Sequence, residues 1–336
     1  MARRTRRTLF FSQVGAALLF LAAFAAEEVA SADPSTTSIE QGYDLGKIET
    51  PRDIAFGGAQ TALGTSTTAL YGNPANMAMA HVYHFEGLAM ISPEARRQTY
   101  GAGVVDSNTS ALSGGFGGTW NMQDPDGIHR QWTDLRLGLA YPLGDRFSVG
   151  AAGRYLRADQ GISSGPLGAS LVSDGLPNGP IFNSFTFDLG ATLVPMDGLR
   201  IGIVGKNLTD PGNGLAPTYV QGGVGYTQSI FAIEADALAD FTTWKGTRAR
   251  YMLGGEVFLA NRVPLRLGYR YDDGEKVHAL SGGLGYVDKH WSFEASASHD
   301  IVGSNPSTMI GLSLRLFYGA SDGSSGSEPD ASTDAF

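Results

Sequence analysis

Cysteine is absent from all 336 residues, which excludes a disulfide framework, thiolate metal sites and thiol catalysis. Charge is scarce too: Asp, Glu, Lys and Arg make up 17% of the chain, and the net charge is −9. No basic stripe offers a track for phosphates, so nucleic acid is not an expected partner. The histidines (His81, His84, His129, His278, His290 and His299) show no metal-ligand spacing. Ser298, His299 and Asp300 are consecutive in a strand pattern, so they cannot converge as nucleophile, base and orienting acid. With no phosphate-cradling lysine loop and no dinucleotide fingerprint either, the reading is a non-enzyme with neither cofactor nor metal. Beyond residue 32 no segment carries 18 consecutive apolar residues, which excludes a helical membrane protein.

What the chain does have is glycine. Its 46 glycines are about twice average usage and disfavour a helical protein. At the N-terminus, Arg3, Arg4, Arg6 and Arg7 precede an apolar run from Val14 to Ala26, followed by Ala30-Ser31-Ala32. That is the pattern of a secretory signal peptide over residues 1–32, cleaved near Ala32; the apolar run is too short to span a membrane.

From His81 to Tyr318 the period of the chain is two. Leu135, Leu137, Leu139 and Tyr141 alternate with Arg136, Gly138 and Ala140; Leu265, Leu267, Tyr269 and Tyr271 alternate with Arg266, Gly268 and Arg270. The same alternation runs through Trp291–Ser298 and Ile310–Tyr318. Side chains on a strand point to opposite faces in turn, so each segment has one apolar and one polar face. Fourteen such segments can be counted, with centres from residue 86 to residue 312. Tight turns are expected at Asp106-Ser107-Asn108, Leu143-Gly144-Asp145, Met196-Asp197-Gly198, Asn261-Arg262 and Asp288-Lys289. The longer connections, Ala158–Ile181 and Thr209–Pro217, fall in the other set. Short turns at one rim, long loops at the other and an even strand count are the pattern of a bacterial outer-membrane barrel. A soluble sandwich or propeller also gives short strands with turn signals. The signal peptide, the aromatic residues near strand ends and the Leu312-Leu314-Leu316-Tyr318 ending favour the membrane barrel. Outer-membrane lipid and the barrel-insertion machinery are then expected partners.

Ahead of the first strand lie Ile54-Ala55-Phe56-Gly57-Gly58-Ala59 and Tyr71-Gly72-Asn73-Pro74-Ala75-Asn76. These stretches resemble the N-terminal hatch of the FadL/PorV superfamily of outer-membrane proteins. The segment Gly205-Lys206-Asn207-Leu208-Thr209-Asp210-Pro211-Gly212 resembles a mid-barrel stretch of its PorV branch, and the short chain also favours the PorV/PorQ-like side. The resemblance implies an all-β, fourteen-stranded antiparallel transmembrane barrel over residues 81–318. A hatch over 33–80, centred on Gly57, Gly58, Asn73, Pro74 and Ala75, would plug it. FadL-type members imply a passive conduit or acceptor for hydrophobic, fatty-acid-like small molecules. PorV-type members imply a scaffold or shuttle for a secreted or surface protein, and the two readings differ in whether lumen or loops such as Gly161–Pro180 set specificity.

Three local expectations complete the reading. Pro74 fixes its own φ and Asn73 can close a side-chain turn, in a hatch or in an ordinary turn. Gly114, Gly115, Gly117 and Gly118 weaken the third strand, and by resemblance to FadL-type barrels could open a lateral portal; paired glycines elsewhere in the chain offer a plainer reading. Glu234, Asp236, Glu256, Arg266 and Arg270 fall on the inward face of neighbouring strands. There they form either a cross-linking charge network, the preferred reading, or the lining of a wet pore. Residues 319–336, with Asp322, Glu328, Asp330 and Asp334, read as a flexible acidic tail.

Overall fold

The computed structural model describes residues 49–123, 130–160, 182–211, 216–303 and 306–318. The expected signal peptide, residues 33–48, most of the Ala158–Ile181 connection and the acidic tail lie outside the described residues.

Alternating side chains build fourteen strands: β1 (Tyr83–Ser92), β2 (Arg97–Asp106), β3 (Ser113–Gln123), β4 (Arg130–Pro142), β5 (Phe147–Gln160), β6 (Phe182–Met196), β7 (Leu199–Lys206), β8 (Tyr219–Gln228), β9 (Phe231–Asp240), β10 (Arg248–Leu259), β11 (Val263–Asp272), β12 (Val277–Val287), β13 (Trp291–Val302) and β14 (Thr308–Tyr318). Each strand pairs antiparallel with its sequence neighbours. β1 closes on β14 in a register running from Tyr83 opposite Tyr318 to Ile91 opposite Ile310. A closed sheet leaves no edge and satisfies every ladder hydrogen bond internally, the condition for strands in a hydrocarbon medium.

The two faces of the wall differ as the alternation requires. Leu137, Leu267 and Leu314 stand exposed on the outside, while their neighbours Arg136, Arg266 and Arg315 are buried inside. Exposed apolar side chains recur around the circumference, from Phe85 and Phe116 through Phe185 and Ile233 to Leu284 and Leu312. Aromatic side chains gather at the rim where β1 starts and β14 ends: Tyr83 packs against Tyr318 at 5.7 Å, and Tyr286 against Trp291 at 5.4 Å. Such a girdle suits the interface between hydrocarbon and water.

Connections at that rim are short, with 197–198 linking β6 to β7 and 260–262 linking β10 to β11. The link after β2 is longer than the turn read from the sequence and runs over 107–112. Asp106 Oδ1 accepts the N–H groups of Asn108 and Thr109, each at 3.0 Å. At the far rim the connections are uneven: 93–96 and 273–276 are as short as hairpins, whereas 161–181 and 207–218 are long.

Candidate functional site: the hatch and the wall that holds it

Residues 49–80 lie inside the barrel. Thr50 caps the first helix, α1 (Pro51–Ala55), in a reciprocal box: Thr50 N–H donates to Asp53 Oδ2 at 3.0 Å, and Asp53 N–H to Thr50 Oγ1 at 3.3 Å. Pro51 occupies the first helical position, where its missing N–H is not needed. A second helix, α2 (Ser66–Tyr71), follows, and then a 3-10 turn over Pro74–Met79. Asn73 precedes that turn in extended geometry, and its Oδ1 accepts the Ala75 N–H at 3.2 Å. The Asn73 amide also donates to Thr61 O at 2.9 Å, Thr192 Oγ1 at 3.0 Å and Ala191 O at 3.3 Å. One side chain thus closes its own turn, ties two parts of the hatch together and joins them to β6. The exit of the hatch is fastened by Ser107, whose hydroxyl donates to the carbonyls of Ala80 and Val82.

Bare backbone on the wall receives this segment. Gly57 has φ +65°, and a Cβ there would sit 2.8 Å from Tyr269 O. On the facing strand, a Cβ on Gly268 would sit 2.3 Å from Gly57 N. Gly150 meets Ala75 N at 2.5 Å, Gly202 meets Thr61 O at 2.2 Å and Gly254 meets Phe56 at 2.2 Å, each measured from the position a Cβ would take. The high glycine content therefore has a place: it clears the inner wall at the level of the hatch.

At β3, where a lateral portal is expected, the ladder is continuous. That strand pairs without a register shift to β2 from Arg97–Gln123 to Asp106–Gly114, and to β4 from Ser113–Ala140 to Gln123–Arg130. The wall is closed at Gly114, Gly115, Gly117 and Gly118. Gly115 and Gly117 face inward, where a Cβ would meet Met77 Sδ at 3.0 Å and Tyr71 Oη at 2.6 Å, respectively. Gly114 and Gly118 alternate to the outer face, where a Cβ on Gly118 would meet Leu135 Cδ2 at 2.5 Å. Gly115 and Gly117 of β3 thus give room to the hatch.

The inward charges divide into three groups instead of one network. Arg52 of α1 forks onto Glu256, Nη1 to Oε2 at 3.1 Å and Nη2 to Oε1 at 3.3 Å. From there Arg266 bridges Glu256 at 2.5 Å and Glu294 at 2.9 Å. Arg315 bridges Glu294 at 3.3 Å and Glu86 at 3.2 Å, and Glu86 accepts the hydroxyl of Thr67 in α2. The ladder begins and ends on the hatch, and its central members are buried.

Glu234 and Asp236 do not join it. Their cross-strand neighbours are Gly225 and Gly254 for Glu234, and Gly223 and Met252 for Asp236, so no cation stands in register. They accept backbone N–H groups of four consecutive hatch residues instead. Asp236 Oδ2 takes Gln60 at 3.1 Å and Thr61 at 3.0 Å, while Glu234 takes Ala62 at 2.5 Å and Leu63 at 3.1 Å. Arg270 stands apart near the far rim, 3.4 Å from Glu49 and 3.7 Å from Asp300.

A further cluster escaped the list of site residues read from the sequence, although alternation alone puts Arg136 and Arg154 inside. Arg136 and Arg154 share Asp134, and Lys206 pairs with Asp188 at 2.9 Å. Arg136 and Lys206 both donate to the carbonyl of Tyr71, at 2.9 and 2.7 Å. Asn207 accepts from Arg154 at 2.7 Å and donates to Pro217 O at 2.8 Å. Lys206 of the mid-barrel motif thus holds the end of α2, and Asn207 ties the wall behind it. Farther along β4 and β5, toward the far rim, the lining turns apolar: Trp132, Leu156, Ala158 and Ala216 form one buried cluster, with the Arg97 guanidinium 5.0 Å over the Trp132 ring.

No family model and no curated protein sequence matches this chain. Solved structures do. The Ralstonia pickettii toluene transporter TbuX aligns with a TM-score of 0.60 at 13% identity, over 81% of this chain and 99% of that one. The Pseudomonas putida toluene transporter TodX gives 0.58 at 14% identity, over 82% and 98%. A Pseudomonas aeruginosa FadL homologue gives 0.57 at 13%, over 87% and 100%. At such identities the likeness is one of fold. The chain shares its closed fourteen-stranded antiparallel architecture with these barrels.

Proposed function

We propose that the protein sits in the outer membrane of a diderm bacterium, exported by cleavage near Ala32, and serves as a passive conduit or acceptor for hydrophobic small molecules. The observation that carries this reading is the division of the lumen: a hatch fastened all round its edge, and an apolar wall patch at Trp132, Leu156, Ala158 and Ala216 beyond it. A lumen so filled offers no wide aqueous path for polar solutes. The patch is packed shut, its members no more than 2% exposed, so an apolar guest enters by parting it and is held by removal of the guest's own surface from water, worth about 0.8 kcal/mol per buried CH2. Similarly folded barrels include the toluene transporters TbuX and TodX, which supports a hydrophobic cargo. No covalent chemistry is part of the proposal.

Titration of the detergent-purified barrel with toluene and with a long-chain acyl probe, read by tryptophan fluorescence, tests it. Saturable quenching is expected, and Trp132→Phe should abolish it. Absence of saturable binding for both probes would sink the conduit.

A PorV-type scaffold or shuttle for a secreted protein is the second reading. The observation favouring it is that the cavity between hatch and wall is bordered by Asp53, Arg136, Arg154 and Lys206 alongside Tyr71, Val204 and Tyr219, a mixed lining rather than an apolar one. A stoichiometric protein companion retained on a barrel with an empty lumen is the result it requires.

A further inference from the structure

Glu234 and Asp236 stand two residues apart on the inward face of β9, and donors reach three of their four carboxyl oxygens. Asp236 Oδ2 takes the Gln60 and Thr61 N–H groups and also the Gln221 amide, at 2.9 Å. Glu234 Oε1 takes the Ala62 N–H and Oε2 that of Leu63. The fourth oxygen, Asp236 Oδ1, is buried and receives no donor among the described residues.

The second observation is where that oxygen points. A Cβ on Gly223 would fall against Asp236 Oδ1 and 3.1 Å from Glu234 Oε1, so the two oxygens converge over one stretch of bare backbone. The carboxyl groups lie within hydrogen-bond reach of each other. As carboxylates both are acceptors only, and two like charges side by side away from water repel.

No cation stands among their partners. Gly223 and Gly225 of β8 and Met252 and Gly254 of β10 are in register with them. Farther along β10, Arg250 lies on Asp272, and Glu256 is shared by Arg52 and Arg266. In the hatch, Asp53 is engaged by Thr50, and at the far end of β9 Asp240 accepts from Thr242 and Thr243. Across the small cavity that Gln60 and Gln221 border, Arg136, Arg154 and Lys206 lie on Asp134 and Asp188.

The geometry points to a proton held between Asp236 Oδ1 and Glu234 Oε1, which makes the pair a proton-binding site and the latch of hatch residues 60–63. The proton gives the idle oxygen its bond and removes one of two adjacent charges, while every N–H donor keeps its acceptor. A Ca2+ ion would find two oxygens where it takes about six to eight, among N–H donors that repel it. Displacing the hatch admits water, both carboxyls ionise as free ones do at neutral pH, and the proton passes to solvent. The seated hatch thus binds one proton more than the displaced one, and its hold weakens as pH rises through neutrality. This linkage goes beyond the conduit reading and is independent of what the barrel carries.

Amide exchange of the full chain in detergent tests it, read at Gln60, Thr61, Ala62 and Leu63 and corrected for the intrinsic rate at each pH. Protection is expected to fall as pH rises through neutrality, by up to about tenfold per pH unit, the limit for one linked proton. Asp236→Asn places a permanent N–H donor at the proton's position and leaves one charge, so its protection should not vary with pH. Glu234→Gln does the same from the other side and serves if the first variant fails to fold. Wild type should also show, at neutral pH, the infrared band of a protonated carboxyl that Asp236→Asn lacks. A flat wild-type profile, an equal slope in a folded variant, an absent band, or protection that follows added Ca2+ and is lost to a chelator overturns the proton. No cargo enters the measurement, so failure here is distinguishable from failure of the conduit.

Discussion

Arg52 and Glu256 are 204 residues apart in sequence, yet the guanidinium of the first lies with both terminal nitrogens against both carboxylate oxygens of the second. The pair is buried and continues through Arg266, so it is both a tether for α1 and the first rung of the ladder. Removing one partner of such a pair strands the other, at a cost of about 3–5 kcal/mol, whereas replacing both by apolar groups costs less. Arg52→Met and Glu256→Met should therefore each lower the unfolding free energy more than the double variant predicts by addition. An additive cycle would show the pair to be energetically idle.

Conductance reports the same tether in another way. The intact barrel should be nearly silent in a planar bilayer, because hatch and wall interlock. Glu256→Gln is expected to introduce intermittent openings as α1 loosens. Silence in both proteins, with equal stability, would mean that other contacts hold the hatch unaided.

At Gly268 the wall meets the hatch main chain, with no side chain between them. A Cβ there would lie 2.3 Å from Gly57 N and 2.4 Å from Phe56 C, neither of which can rotate away. Gly268→Val should leave the barrel able to assemble but dislodge the hatch, exposing residues 49–80 to limited proteolysis. The control is Gly114→Val, where the nearest atom is Leu139 Cδ2 at 3.9 Å and protection should persist. Equal protection in both would contradict the close approach.

Asn73→Ala deletes three donor contacts and one acceptor contact; Thr61 O keeps the Asn76 amide at 3.0 Å, while the Ala75 N–H loses its acceptor. The expected loss is about 1–3 kcal/mol for the unsatisfied buried groups. Faster amide exchange at Ala75 is the local signature; unchanged exchange would place the stabilisation elsewhere.

Acid should release a contact at the far rim. Glu94 receives the Thr308 N–H at 2.9 Å and its hydroxyl at 2.7 Å, and these bonds hold its carboxyl below the ordinary glutamate range. A depressed acid contributes stability above its unfolded value and loses that contribution as pH falls through the folded value. Exchange at the Thr308 amide is thus expected to quicken only below the ordinary glutamate range, and Glu94→Gln should remove the pH dependence. A wild-type rate flat across that window would discard the contact.

The strands were legible because period two leaves a mark on every residue: Leu137 outside and Arg136 inside can be assigned from spacing alone. The partners of the inward charges were not. Glu256 and Arg266 sit directly opposite each other, so adjacency found that pair. Glu234 and Asp236 end on backbone N–H groups, which carry no residue identity, so no residue-type pattern could announce them. Arg266 reaches Glu294 across β12, where Gly283 stands in register with it; a glycine in a strand marks weakness or clearance alike, and the sequence alone does not say which. Thr50-Pro51-Arg52-Asp53, by contrast, carries a helix-start signature in its residue types: a capping threonine, a proline and an acid three places on.

The seam between β1 and β14 carries its own clasp, since Glu86 stands opposite Arg315 in register and also takes the Thr67 hydroxyl. The first and last strands of the barrel therefore meet over a residue of the plug. Glu86 makes both of its contacts only when the wall is closed and the plug is seated. Sewing the wall shut and seating the stopper are thus coupled through one carboxylate, and each adds a bond that the other prepares.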